Sequence, residues 1–328
     1  MSPDRIDVSS LLDRYLRDRT VLGRGAKTVE RYGDLVRLYL KPQIGSIPLA
    51  KLKPGHVNEM VTVLRERGGA KGRPLSPKSV NHAYSFLLGA PAWALRQELV
   101  ARNVAIAVET PRVPRGTAVA LSVDGAKMMI SAGDETRWGP FIRLALGCGA
   151  RRGELLALRW ADIDLEGRAL TIRGSLSQTR AGITEKPTKT DRVRLVALPD
   201  IAIEGLQRQA ASQASDRHAA EGNFVDSGHV FQGPLGGCIN PYSATDTFRK
   251  LARKVGISTT KLHAIRHTTG SWLIASGVDP RTAASILGQS SPMITLSVYS
   301  RLVKGAQKAA VAHIDERLNM LETELASR

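Results

Sequence analysis

Apolar positions in the first hundred residues recur at helical spacing. Val8, Leu11, Leu12, Tyr15 and Leu16 fall on one side of a helix predicted over 7–22. Thr28 is a suitable N-cap for a second helix running to about Leu40. The stretch KPQIGSIPLAKLKPG (41–55) is interrupted by Pro42, Gly45, Pro48, Pro54 and Gly55 and reads as a loop. A third helix is expected from about His56 to Arg67, followed by the polar, Gly- and Pro-rich loop GGAKGRPLSP. Ser76 or Pro77 then opens a long helix to about Val100, with Pro91 expected to kink it. The outcome is a bundle of about four helices.

The segment TPRVPRG (110–116) interrupts this pattern. Its two prolines favour an extended, polyproline-like linker, and Arg112 and Arg115 are spaced to follow a phosphate backbone. Beyond it, Ser122 caps a new helix, and 138–160 adds further helical material. Strand-like alternation occurs in ALTIRG (169–174) and RVRLVAL (192–198). Helical spacing returns at about 199–221, 241–255, 263–276, 280–288 and 306–326. The predicted fold is mainly α with a small β-sheet. A helical domain over 1–110 and a linker over 111–116 lead to an α-rich second domain over 117–328. A length of 328 residues suits two domains.

Charge adds the first functional clue. The chain carries 47 Lys and Arg against 30 Asp and Glu, a net +17. Residues 1–115 contribute +10 of this and the remainder +7. That balance favours a polyanionic partner, with nucleic acid foremost. The two cysteines, Cys148 and Cys238, lie far apart and away from any metal-ligand spacing. They read as buried thiols, with neither a disulfide framework nor a zinc site. No run approaches the ~18 apolar residues of a membrane helix. The first residues, MSPDRIDVSS, lack a signal-peptide core, so a cytoplasmic protein with no membrane partner is expected.

Four segments carry candidate chemistry. In GCGARRGELLALRW, Gly149 and Gly153 bracket Arg151 and Arg152 at a helix start, where free N–H groups and a guanidinium suit a phosphate. Glu154, three residues after Arg151, is placed to orient it. In LHAIRHTTGSW, His263 and Arg266 are spaced i,i+3 and share a helix face, while His267 is expected to point elsewhere. In LGQSSPMITLSVYSRL, Gly288 ends a helix and Pro292 opens a short one carrying Tyr299. In EKPTKTDRVRLVALP, Lys189 sits in a turn before a strand. Each segment alone has a plainer explanation: a solvated arginine pair, a core histidine, a packed tyrosine, a surface lysine.

The ordered set is far more specific than its parts and resembles the tyrosine recombinase, or phage integrase, family. The resemblance covers nearly the whole chain. It implies a SAM-like helical core-binding domain followed by the tyrosine-recombinase catalytic domain. By the match, Arg151, Lys189, His263, Arg266, Gln289 and Tyr299 are the catalytic set and Glu154 the associated acid, with Arg112, Arg115 and Arg152 as DNA contacts. The implied reaction uses neither metal nor nucleotide cofactor. Tyr299 attacks a phosphate of double-stranded DNA and leaves a 3′-phosphotyrosyl link that another 5′ hydroxyl reverses. Arg151 and Arg266 stabilise the transition state, Lys189 protonates the leaving oxygen, and His263 assists at the tyrosine or braces the phosphate. A homotetramer on a core-type site, with accessory DNA-bending or directionality proteins, is the family expectation.

Two departures stand out. Gln289 occupies a position where the family has His or Trp, and Gly89-Ala90-Pro91 interrupts a helix expected to be unbroken. With few residues ahead of the first helix, the chain reads as a two-domain recombinase or one that has lost an arm-binding domain. A DNA-binding protein of this fold with weakened catalysis and a type IB-like topoisomerase remain the alternatives.

Overall fold

The structure is a computed structural model and describes residues 6–113, 119–187, 193–257 and 260–292. The chain divides into two compact units, with the boundary between Gly116 and Thr117.

In the first unit, α1 (Val8–Val21) is capped by Asp7, whose carboxylate accepts the Ser10 N–H at 2.8 Å. Helix α2 (Ala26–Leu35) begins earlier than Thr28 suggested: the Gly25 carbonyl accepts the Thr28 and Val29 N–H groups, so Thr28 lies within the first turn. The helix continues through a π-helical turn at Val36–Leu40 straight into α3 (Lys41–Ile44). Pro42 falls where the wider bonding of the π turn gives way to α3, so it sits inside the continuous helix at a point where the hydrogen-bond ladder already changes step. Pro54 starts α4 (Pro54–Arg67), where the N–H it lacks would have no partner in a first turn, so the expected 41–55 loop is shorter than its prolines implied. Helix α5 (Pro77–Arg96) is capped by Ser76 and runs through Gly89-Ala90-Pro91. Gly89 has a packing cause. A β-carbon there would collide with the Tyr15 hydroxyl, and Tyr15 is held against Phe86 and Trp93 with ring centroids 5.1 and 6.2 Å away. Leu11, Leu12, Leu40, Ile44, Met60, Leu64 and Leu87 are fully buried between these helices.

The second unit opens with α6 (Val123–Asp134), capped by the Ser122 hydroxyl, then α7 (Gly139–Cys148) and the short α8 (Arg152–Ala157). Strands β1 (Ile163–Asp164) and β2 (Ala169–Ile172) follow. A hairpin, β3 (Gly174–Thr179) and β4 (Gly182–Pro187), comes before β5 (Arg194–Ala197). Strands β1, β2 and β5 form one antiparallel sheet in which Leu170 faces Val196. The chain then runs through α9 (Asp200–Ala219), a small hairpin of β6 (Gln232–Gly233) and β7 (Gly236–Cys238), α10 (Pro241–Lys254), α11 (His263–Ala275) and α12 (Pro280–Leu287). Phe141, Met129, Ile142 and Leu144 anchor the core, which α7 shares with α9, α6 and α11.

The cysteine expectation is half corrected. Cys148 is buried, and burial pushes its thiol up to about 11, whereas Cys238 is exposed. Among the described residues no helix is long and apolar enough to cross a membrane. Arg115, Lys189, Tyr299 and the helix expected at 306–326 lie outside the described residues.

Candidate active site

Two helix ends organise the site. Helix α7 stops at Gly149, which takes a left-handed conformation with φ 60° and returns its N–H to the Ala145 carbonyl at 3.0 Å. Its own carbonyl then accepts Nη1 of Arg266 at 3.0 Å. Helix α12 stops in the same way at Gly288, also at φ 60°. Gly288 and Gln289 donate their N–H groups to Ser285 and Ala284 at 2.9 and 2.8 Å, the paired bonds of a Schellman ending. The Gly288 carbonyl accepts Nη2 of Arg151 at 2.7 Å. Glycine is required at both ends. A β-carbon at 149 would press on Leu287 and Thr269, and one at 288 would overlap the Arg194 guanidinium.

Arg151 is the N-cap residue of α8, and Glu154, only 1% exposed, closes that end. The Glu154 carboxylate accepts the Arg151 backbone N–H at 2.9 Å and its Nη1 at 2.7 Å. It also accepts Nη2 of Arg194 at 2.7 Å. Burial would raise the Glu154 carboxyl, but the hydrogen bonds and charges of Arg194 and Arg151 outweigh burial and hold it below its ordinary value. Gly153 lets α8 lie directly on β3, since a β-carbon there would meet the Ser175 hydroxyl and the Leu176 carbonyl.

Arg151, Arg152, His263 and Arg266 line one cavity of about 630 Å³. Lys186 of β4, Arg249 of α10 and Lys261 complete its cationic wall, and among the described residues no Asp or Glu lines it. Arg266 is buried at 4% exposure, so its guanidinium is fixed rather than solvated. His263 opens α11, and burial, with the nearby His267, Arg266 and Arg151, pushes it down to about 4, so it is neutral at pH 7. His267 does not point away from His263 as its spacing suggested: the two rings meet edge to face with centroids 4.6 Å apart. Arg152 is half-buried and donates to the Thr245 hydroxyl on α10. Gln289, half-buried, follows Gly288 directly. Arg112 is exposed in the first unit.

Sequence reasoning missed Arg194, His267, Lys186, Arg249 and Lys261. A signal existed for His267, one helical turn from His263. Arg194 left none in the sequence: it shares its strand face with Val196, whose burial only the structure shows, while Leu195 between them is 71% exposed.

A neutral imidazole beside two anchored guanidiniums, in a cavity whose described charged lining is cationic, is arranged to hold a phosphodiester anion and to receive or relay a proton. Among the described residues no cluster of His, Cys, Asp or Glu could hold a metal ion.

Comparison with known proteins agrees with this geometry. Residues 126–305 match the model of the phage integrase family. A tyrosine recombinase XerC-like protein of Caldanaerobacter subterraneus subsp. tengcongensis is 25% identical, the match covering 95% of this chain and 83% of that protein. The fold is that of the Tn1549 transposon integrase in complex with a circular intermediate DNA, at a TM-score of 0.78 and 21% identity over 94% of this chain and 99% of that one. Lambda integrase, in a tetramer bound to a Holliday junction, superposes at a TM-score of 0.66 and 16% identity over 89% of this chain and 77% of its own. The family match spans more than half of the sequence: the chain belongs to the phage integrase family and is a tyrosine-type site-specific DNA recombinase.

Proposed function

We propose that Tyr299 attacks a phosphate of double-stranded DNA held between Arg151 and Arg266. The bond from phosphorus to the 5′ oxygen breaks, and the 3′ end stays on the tyrosine. Lys189 supplies the proton that leaves with the 5′ hydroxyl, and attack by a 5′ hydroxyl on the phosphotyrosine rejoins the strand. One observation carries this reading: Arg151 and Arg266, 115 residues apart in sequence, line one cavity beside His263. Both guanidiniums are preorganised by glycine carbonyls, so charge developing on the equatorial oxygens is met without reorganisation. His263, held neutral by burial and the surrounding cations, gains basicity when the phosphate anion offsets them, and it then takes the tyrosine proton. Arg152 and Gln289 contact the phosphates from the cavity wall and from the end of α12.

In this reading residues 1–110 are the core-binding domain, with Arg112 and Arg115 following the backbone along the 111–116 linker, and 117–328 is the catalytic domain. The working assembly is a homotetramer on two core-type sites, as the lambda integrase tetramer on a Holliday junction suggests. Accessory DNA-bending proteins set direction, and the reaction takes place in the cytoplasm at the nucleoid.

Covalent trapping tests the reading. The full chain incubated with a randomised nicked duplex pool should form an SDS-resistant adduct from which its site is recovered by sequencing. Tyr299→Phe should bind that site with unchanged affinity and form none. An adduct that persists in Tyr299→Phe would remove Tyr299 as the nucleophile.

A further inference from the structure

Arg151 depends on two anchors, the Glu154 carboxylate and the Gly288 carbonyl, and a single guanidinium touches the elements that carry both. Arg194 lays its fork along the carboxylate, with Nη2 at 2.7 Å from one oxygen of Glu154 and Nη1 at 3.4 Å from the other. Its Nε donates to the Ile286 carbonyl at 3.1 Å, two residues before Gly288, and its planar head occupies the space a side chain at 288 would need. Arg194 itself is not among the residues lining the cavity.

We propose that Arg194 is a positioning residue for strand cleavage: it fixes Glu154 and the end of α12 so that Arg151 faces the scissile phosphate with its charge uncancelled. The electrostatic half of the argument is a count of charges. Glu154 and Arg151 alone would form a closed, neutral pair, and little of the Arg151 charge would reach a phosphate. With Arg194 opposite, two guanidiniums share one carboxylate and the triad keeps a net positive charge on the side where Arg151 meets the cavity. The geometric half is that the bidentate fork of an arginine leaves a carboxylate little rotational freedom. The Arg151 Nη1 and backbone N–H therefore meet fixed acceptors. This proposal rests on the strand-cleavage reading above.

The test uses the full chain and the nicked duplex recovered by trapping, with Arg194→Gln and Arg194→Lys. Three quantities are measured: single-turnover cleavage from pH 6 to 9, affinity for the same duplex, and melting temperature. Arg194→Gln should cleave on the order of 10²-fold more slowly, as for loss of a preorganised transition-state donor, with affinity within about twofold. Arg194→Lys, which keeps charge without the fork, should fall between the two. The pH profile separates positioning from a purely structural role. Among the described residues, the charged and titratable groups facing Glu154 besides Arg194 are Arg151 and the Cys148 thiol. Without Arg194 the buried carboxyl rises, so the acid-side loss of cleavage by Arg194→Gln should set in at higher pH than in wild type. A folded Arg194→Gln that cleaves at the wild-type rate, or slowly with an unchanged profile and no recovery in Arg194→Lys, overturns the proposal. If Arg194→Gln does not fold, wild-type cleavage by Arg194→Lys does the same. Failure of the wild-type chain to form any adduct would instead overturn the strand-cleavage reading and this proposal with it.

Discussion

The two units bury different things. Within residues 6–113 the buried side chains are apolar. Among the described residues, the buried polar and charged side chains all belong to the second unit: Glu154, Arg266, Thr268, Thr269, His229 and Gln213 are examples. An apolar core is held by volume and tolerates changes of shape, whereas a buried polar network holds only if each partner is in place. The first unit is therefore built as a scaffold and the second as a set of fixed angles. Thr269 illustrates the second case: its hydroxyl donates to the Leu146 carbonyl at 2.8 Å, and its methyl closes on Gly149, the residue whose carbonyl holds Arg266.

The largest break in this contrast is expected at Arg266. Arg266→Met keeps much of the volume but removes the guanidinium from the cavity and leaves the Gly149 carbonyl without its donor. Single-turnover cleavage should fall by about 10²-fold or more. Affinity for the duplex should change far less, because many other phosphates are still contacted. Equal losses in cleavage and in affinity would make Arg266 a docking residue and blur the distinction between the units. The counterpart in the first unit is Leu12→Ala, at a fully buried position. It should cost roughly 2–5 kcal/mol of stability through lost contact and residual cavity. Cleavage by fully bound enzyme should stay at the wild-type rate; a loss of catalytic rate in the saturated complex would show that the scaffold shapes the chemistry after all.

A smaller effect should appear in pH. His263 has an ordinary value near 6.5 when unfolded and about 4 in the folded chain. Between these values the unfolded state binds more protons, so stability rises with pH across the window and is lost as pH falls through it. Burial and the neighbouring Arg266 also lower His267, which adds a contribution of the same sign. Denaturation midpoints measured from pH 4.5 to 7 should therefore rise more steeply for wild type than for His263→Gln. Identical slopes would mean that His263 is not held neutral by its surroundings.

What was legible in the sequence follows the same division. The first unit's helices can be read from apolar spacing because its core is nothing but apolar spacing. Proline misleads there: Pro42 lies within a helix that continues through a π turn, and Pro54 occupies a first helical turn. In the second unit the order of Arg151, Glu154, His263, Arg266 and Gly288 was legible as a pattern. The β3–β4 hairpin was not, since its strands bury little beyond Leu176 and Thr179 and so lack an apolar alternation. Arg194 was hidden for a related reason. A largely covered guanidinium bonded to a carboxylate forty residues earlier leaves no local signature, and its face of the strand becomes visible only once Val196 is seen to be buried.

The smallest expected effect lies at Gln289, the position where the resemblance implies a His or Trp. The backbone there is already well held: the Gln289 N–H closes the Schellman ending on Ala284 at 2.8 Å, and the preceding carbonyl holds Arg151. A substitution at 289 therefore changes the chemistry of one side chain without moving the helix end. Glutamine can donate an N–H to a phosphate oxygen but carries no charge, and a charge-assisted bond exceeds a neutral one by about 1 kcal/mol or more. That difference corresponds to roughly fivefold or more in rate. Gln289→His should accordingly speed single-turnover cleavage by about that factor while leaving duplex affinity nearly unchanged. Because only the imidazolium supplies charge, the gain should grow as pH falls from 8 towards 6. A gain that is independent of pH would point to shape rather than charge at this position. A gain matched by tighter binding would place Gln289 with the contacts that hold DNA, outside the group that acts on the scissile phosphate.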